Sequence, residues 1–286
     1  MRALSSVLWV LMSGFGLAAE GLDLSKLKPG QRAKVVLQQG TEMASGAQLK
    51  MRLRSSENPG NLEISTEQYE ILLPAGFKRS EPHGLFIWIS PGDSCALPAD
   101  WERVLARHRL IFIGALRSGN NREVFARMQL AITANDQLRQ AYTIDPQRVY
   151  VSGHSGGSRV ASMLAVAYAD MFSGAACFMG VNFFFPTQGK DGSTYEARYI
   201  PHPEIATLAQ GQSRIALVTG EKDFNLDNTR AIYEQGFVAN EFKQVRLFEI
   251  PGQGHGAPSA AWLEKVLDWM DGAAKAEGRS KAGSKS

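Results

Sequence analysis

The sequence is poor in the features that mark metal-binding and nucleic-acid-binding proteins. Its two cysteines and five histidines do not recur at the spacing of metal ligands. Among its 286 residues we find no zinc-finger, RNP or Walker-type motif. The formal net charge is only +3, and part of the excess lies in the last residues, GRSKAGSKS. We therefore expect no metal, no cofactor and no nucleic-acid partner.

Long apolar runs are also missing after the N-terminus, so nothing there predicts a membrane span. The N-terminus itself has one arginine, an apolar stretch from Leu8 to Leu17, and then the small residues Ala18 and Ala19. This order is typical of a cleavable signal peptide over residues 1–19, with an uncleaved anchor or a buried helix as the alternatives. We expect a secreted or periplasmic protein without stable membrane insertion. Export would allow Cys95 and Cys177 to form a disulfide, but the sequence leaves their pairing open.

The first part of the chain predicts half-exposed antiparallel edge strands. The segments are KVVL, QLKMRLRS and YEILLP, and in the second of these apolar residues at 49, 51 and 53 alternate with basic ones. From residue 85 the apolar runs become short and continuous, as in strands buried on both faces. We therefore predict an α/β protein with a mostly parallel central sheet from the runs LFIWIS, LIFIGA, RVYVSG, GAACFMG, RIALVTG and QVRLFEI.

Helical spacing of apolar residues predicts helices over 122–141 and 258–270. Residues 181–212 contain prolines, glycines and an aromatic run, and we interpret them as an irregular insertion that shapes a binding site. The tail from 272 to 286 consists of small and basic residues and predicts a disordered segment. The remaining chain, 20–271, is predicted to be a single domain.

One serine has a pattern that suggests catalysis. Gly153, His154, Ser155, Gly156 and Gly157 match GxSxG, with the apolar run RVYV before them and an amphipathic helix after them. A nucleophilic serine requires this setting: a sharp strand-to-helix turn exposes the hydroxyl, and small neighbours permit the turn. The alternative is that the glycines only pack the helix against the strand.

A serine nucleophile needs a base, and the base needs an acid to orient it. Among the five histidines, His255 lies in the glycine-rich loop PGQGHGAP between the last predicted strand and the last helix, where it can reach the sheet edge. Asp223 follows the strand RIALVTG and lies between the other two in chain order, with Asp227 and Glu221 as alternatives. The order Ser, Asp, His is that of α/β-hydrolases.

At these residues the sequence resembles the α/β-hydrolase superfamily, and within it secreted esterases of the polyhydroxybutyrate depolymerase and feruloyl esterase type. The resemblance extends from YEILLP to the last helix and is best in DPQRVYVSGHSGGSRVASMLAVAYADMFSGAACFMG. It implies an oxyanion hole made by backbone N–H groups after an early strand and after the nucleophile. Because the family's HisGly signature is replaced here by Ser90, Pro91 and Gly92, we assign these donors to Gly92 and Gly156.

The resemblance implies a carboxylic ester hydrolase that acts on short-chain, aromatic (feruloyl-like) or polymeric esters. A serine peptidase of the same fold and a non-catalytic binding protein are the alternatives. Trp88, Phe183 and Phe184 are candidate substrate-binding residues, although aromatic side chains beside buried strands are often core. The stretch GDSC at 92–95 looks like the GDS block of another esterase group. That group needs an aspartate three residues before its histidine, and position 252 is glycine, so we interpret Ser94 as a loop residue.

Overall fold

The computed structural model describes residues 23–283, with side chains described as far as residue 272. The predicted signal peptide, 1–19, lies outside these residues. Eight strands form one sheet in the order β1-β2-β4-β3-β5-β6-β9-β10. Their bounds are β1 (Arg32–Val36), β2 (Gln68–Leu72), β3 (His83–Ile89), β4 (Leu110–Ala115), β5 (Ile144–His154), β6 (Gly174–Phe178), β9 (Arg214–Gly220) and β10 (Val245–Ile250).

From β4 to β10 all neighbouring strands are parallel, whereas β1 and β2 pair antiparallel at one edge. This arrangement confirms the predicted α/β class, the parallel sheet and the antiparallel edge. The helices are α1 (Gly46–Arg52), α2 (Trp101–Arg107), α3 (Val124–Ala141), α4 (Gly156–Ala167), α5 (Pro203–Gln212), α6 (Leu226–Ala231) and α7 (Ala260–Gly283), and α6 continues into a π-helical segment, Ile232–Val238. Within residues 23–283, no helix is long and apolar enough to cross a membrane.

The predicted strand at QLKMRLRS is wrong, because these residues form α1 and the turn after it. The hydroxyl of Ser45 accepts a hydrogen bond from the Gln48 N–H at 3.2 Å and caps the helix. Leu49 and Leu53 are one helical turn apart, and both are buried. Met51, which strict alternation would also bury, is 49% exposed. A spacing of four fits one helix face as well as one strand face, and the serine cap favours the helix.

Two other predictions differ from the structure. The insertion at 181–212 is not irregular throughout, because it contains a small hairpin, β7 (Thr187–Gln188) and β8 (Thr194–Tyr195), and the whole of α5. Pro203 occupies the first turn of α5, where its missing N–H costs no hydrogen bond. The last helix, α7, continues to Gly283, so the tail that we expected to be disordered from residue 272 is helical over that stretch.

The sheet divides the core into two clusters. Alternation along β3 sends Leu85, Ile87 and Ile89 to the side of α3 and α4, and Phe86 and Trp88 to the side of α2 and α7. Because every residue of β3 is buried, this strand reads as a continuous apolar run.

A buried carboxylate attaches α7 to the sheet. Asp271 accepts hydrogen bonds from His108 Nδ1 at 2.7 Å, from the Arg148 guanidinium at 2.8 Å and from the Tyr150 hydroxyl at 2.9 Å. Burial by itself raises the pKa of this carboxyl. The hydrogen bonds from His108 and Arg148 outweigh that effect and hold the pKa at about 2.

Candidate active site

Ser155 lies at the sharp turn between β5 and α4. Its backbone has φ 54° and ψ −120°, a strained conformation for a residue with a side chain. The adjacent glycines explain how the turn can form: a Cβ on Gly157 would overlap the carbonyl oxygen of Ile89, and one on Gly153 would overlap the backbone of Gly157. Close approach of strand and helix therefore requires glycine at both positions, as predicted.

The three predicted triad residues form one chain of hydrogen bonds. His255 Nδ1 lies 2.7 Å from Asp223 Oδ1, and His255 Nε2 lies 2.9 Å from Ser155 Oγ. Because an ionised carboxylate can only accept, Nδ1 carries the proton and donates a hydrogen bond to Asp223. Nε2 is then left as the acceptor for the Ser155 hydroxyl, which is the arrangement a general base requires.

Asp223 is fixed by more than the histidine. It is 5% exposed, and its Oδ1 also accepts the Asn225 N–H at 3.0 Å while its Oδ2 accepts the Thr219 hydroxyl at 3.0 Å. The alternatives from the sequence lie elsewhere: Asp227 Oδ2 accepts from the Tyr195 hydroxyl, and Glu221 accepts the Gly252 N–H. Neither contacts His255, so the structure brings Asp223, and not its substitutes, to the base.

The imidazole of His255 is supported from two sides. The ring of Phe224 stacks on it with centroids 4.0 Å apart, although Phe224 itself is 77% exposed. His154 Nε2 donates a hydrogen bond to the carbonyl oxygen of His255 at 2.8 Å. Burial lowers the pKa of His154, which keeps its ring neutral near pH 7. Neither neighbour has a role that the sequence predicts, because only the fold brings these two rings to position 255.

The two predicted oxyanion donors differ in their surroundings. Gly156 is the first residue of α4, where backbone N–H groups have no partner within the helix. The N–H of Gly92 donates to the Ser90 hydroxyl at 3.1 Å, so its assignment to an oxyanion stays a prediction. Asn120 lies against Gly156, although the sequence predicts no role for it. A Cβ on this glycine would overlap the Asn120 amide. The Asn120 N–H also donates to the Pro91 carbonyl at 2.9 Å.

The predicted substrate-binding aromatics are mostly core residues. Trp88 is 3% exposed and packs against Phe86, Trp101 and Phe178, on the face of the sheet covered by α2 and α7. Its assignment to substrate is wrong, because alternation along β3 turns the indole into the core.

Phe183 and Phe184 are 1% and 9% exposed and belong to an aromatic cluster with Phe237 and Phe242. Their packing leaves little exposed surface, although Phe183 forms part of the lining of a cleft of about 380 Å³ beside Asn182 and Phe224. The exposed ring of the predicted insertion is that of Phe185, at 49%.

Ser94 and the two cysteines lie outside the hydrogen-bonded chain at Ser155. Ser94 lies in the exposed loop after β3 and does not join the hydrogen-bonded chain at Ser155. Cys95 and Cys177 are both buried free thiols, which answers the open question about their pairing. Burial raises the pKa of Cys177 to about 12, so this thiol stays protonated near neutral pH.

Within the described side chains, one group has the geometry to contact a metal ion: His108, Glu264 and Asp268, with ligand atoms within 4.8 Å of one another. Its members already have protein partners, since His108 pairs with Asp271 and Glu264 with Arg107. We interpret the group as part of the ion-pair network between α2 and α7.

Sheet order, strand directions and the serine turn together define this chain as a protein of the α/β-hydrolase fold. Solved structures support the assignment of the fold. The chain resembles S-formylglutathione hydrolase from Staphylococcus aureus (TM-score 0.53, 12% identity, covering 85% of this chain and 98% of that one). It also resembles a variant of the feruloyl esterase module from Clostridium thermocellum in complex with sinapinate (TM-score 0.50, 12% identity, covering 71% and 82%).

A curated relative is more similar in sequence. The chain is 42% identical over 159 residues to poly(3-hydroxyalkanoate) depolymerase C from Paucimonas lemoignei, and the match covers 43% of this chain and 38% of the relative. The chain thus spans less than half the length of that protein. No family model matches. These similarities confirm the predicted resemblance to the depolymerase and feruloyl esterase type.

Proposed function

We propose that the protein is a serine carboxylic ester hydrolase with Ser155, His255 and Asp223 as its catalytic triad. The observation that carries the proposal is the continuous chain of hydrogen bonds from Ser155 Oγ through the imidazole to the buried Asp223 carboxylate. The relative that shares 42% identity bears the name of an ester-cleaving enzyme, which favours esters over amides as the substrate.

In the proposed reaction, Ser155 Oγ attacks the ester carbonyl carbon while His255 Nε2 takes the hydroxyl proton. The carbonyl oxygen becomes an oxyanion and accepts the Gly156 N–H at the positive end of α4. Collapse of this intermediate breaks the bond to the alcohol, which leaves with the proton from Nε2. A water molecule then attacks the acyl-enzyme, and the same histidine transfers the water's proton back to Ser155, releasing the acid.

We propose short-chain, aromatic or polymeric esters as substrates, and among them esters of 3-hydroxyacids, on the strength of the relative's name. The exposed ring of Phe224 supports this choice, because it offers apolar surface beside His255 of the triad. We also propose that the protein is secreted or periplasmic, as the N-terminal sequence predicts.

A substrate panel tests the proposal. Purified protein should cleave 4-nitrophenyl butyrate, methyl ferulate and a 3-hydroxybutyrate trimer, and Ser155→Ala should abolish all three activities. Ser94→Ala is the matched control, because it removes a hydroxyl from an exposed loop serine without touching the triad. Cleavage of peptide amides without any ester cleavage would identify a peptidase and contradict the proposal, as would full activity of Ser155→Ala.

A further inference from the structure

A cleft of about 380 Å³ lies beside the triad and is bounded by α4, the predicted insertion and the loop after Asp223. Its walls include Arg159, Arg198, Tyr195 and Phe224. Each triad residue adjoins this wall: Arg159 follows Ser155 by one turn of α4, Phe224 stacks on His255, and Asn225 donates its N–H to Asp223. A substrate held at Ser155 can therefore extend toward this cleft.

Arg159 is a partly buried cation without an acidic partner among the described side chains. Its guanidinium donates only to neutral oxygens: the Val181 carbonyl at 2.9 Å, Asn182 Oδ1 at 3.0 Å and Asn225 Oδ1 at 2.9 Å. These bonds fix the side chain against the wall of the cleft without a direct ion pair, and the Asp223 carboxylate acts on its charge from beyond ion-pair distance. Buried charges in proteins are normally paired, so such an arrangement favours an anionic ligand.

A second arginine increases the positive potential in the same cleft. Arg198 is exposed, and no carboxylate among the described residues forms an ion pair with its side chain. Burial first, and then the charge of Arg198, lower the pKa of Arg159, while the charge of Asp223 raises it. One acidic residue, Glu196, also lines the cleft, and it is not within ion-pair distance of either arginine. The lining thus carries two cations and one anion, a net charge of +1.

From this geometry we propose that the cleft binds the carboxylate of an acid-terminated ester, such as a linear oligomer of 3-hydroxyacids with a free carboxyl end. The inference rests on the proposed ester hydrolase activity and adds the charge of the substrate. An arginine fork suits a carboxylate because its N–H groups match both oxygens. Arg159 follows Ser155 by four residues, about 6 Å along the axis of α4, and its N–H donates to the Ser155 carbonyl.

Two trimers of 3-hydroxybutyrate, one with a free carboxylate and one ending in a primary amide, test the proposal. Wild-type protein should show a higher kcat/KM for the acid than for the amide. Arg198→Gln should reduce that ratio about threefold to tenfold, the usual effect of losing one charged contact in a solvated cleft, with the amide trimer changed less than about twofold. Glu196→Gln should increase the ratio, because it removes the only acidic group of the lining.

Arg103→Gln is the matched control, an exposed arginine on α2 away from the cleft. Equal kcat/KM values for acid and amide trimers in wild-type protein, with 4-nitrophenyl butyrate cleaved normally, would overturn the carboxylate site and leave the proposed function intact. The same would follow if Arg103→Gln reduced the ratio as much as Arg198→Gln. If the protein cleaved neither trimer nor 4-nitrophenyl butyrate, the hydrolase activity and the carboxylate site would both be refuted.

A binding measurement separates recognition from turnover. In the Ser155→Ala background, calorimetry should give a lower Kd for the acid trimer than for the amide trimer, and Arg198→Gln should reduce the difference. Arg159→Lys keeps the charge and loses the fork, so it should retain part of the preference. Identical affinities for the two trimers would contradict the proposal.

Discussion

The Asp223 carboxylate has a role that a single substitution isolates. In Asp223→Asn the side chain keeps its shape and loses its charge. The amide oxygen should remain at the position of Oδ1, because two donors point at that atom, the Asn225 N–H and His255 Nδ1. The Thr219 hydroxyl can rotate to accept from the new NH₂ group at the position of Oδ2. The fold and the histidine tautomer should therefore survive.

What disappears is the partner of the imidazolium that forms when Ser155 loses its proton. Removing one member of a buried ion pair costs about 3–5 kcal/mol, and each 1.36 kcal/mol is about a tenfold change in rate. The side chain of Asp223 is fully buried, but the His255 side chain is 26% exposed. Because water partly screens the charge on the exposed His255 side of the pair, we take the lower part of this energy range and expect kcat to fall about 10²- to 10³-fold.

The assay is kcat on 4-nitrophenyl butyrate at neutral pH, with thermal unfolding measured alongside. The matched controls are Asp227→Asn and Glu221→Gln, the two other acids after the same strand, and neither contacts His255. They should keep kcat within about twofold of wild type. A loss of less than tenfold in folded Asp223→Asn, or an equal loss in either control, would refute the role of this carboxylate.

Three further changes have defined outcomes. Gly157→Ala places a methyl group against the Ile89 carbonyl and should destabilise the protein by about 1–3 kcal/mol; an unchanged Tm would contradict this close approach. His154→Phe removes the hydrogen bond to the His255 carbonyl and should lower kcat about tenfold with KM little changed, and His154→Gln should restore part of the loss; equal kcat for both variants would argue against this contact. Asp271→Asn should cost about 2 kcal/mol of unfolding free energy near pH 7, from a pKa held at about 2 against 3.8. Because the folded-state pKa is the lower one, this contribution is complete above pH 4 and is lost as pH falls toward 2, so urea titrations should show the two proteins converging there; a constant difference would contradict the linkage.

Much of this molecule follows from patterns that act over short distances. Burial on both faces gives β3 and β4 continuous apolar sequences, and the close approach at Gly153 and Gly157 can be read from the glycines themselves. The three residues of the hydrogen-bonded chain were predicted because chain order and strand ends constrain where each one lies. The resemblance to a known family supplied the expected fold and donors.

Other features depend on contacts that sequence spacing does not determine. The alternation at 49–54 fits a helix as well as a strand, and only the Ser45 cap and the burial of Leu49 and Leu53 distinguish them. Trp88 is a candidate for substrate binding from the sequence because its ring could hold an aromatic or polymeric acyl group, but alternation along β3 places this side chain in the core. Asn120 is far from Gly156 in sequence, and the fold alone brings its amide against this glycine.

The most direct test of the account is covalent trapping of the nucleophile. A fluorophosphonate probe should label the folded wild-type protein once per chain, and peptide mapping should place the adduct on Ser155. Ser94→Ala should label as wild type does, while Ser155→Ala should not label and Asp223→Asn should label more slowly. An unlabelled folded protein, or equal labelling of Ser155→Ala, would contradict the claim that this chain of hydrogen bonds is a catalytic triad.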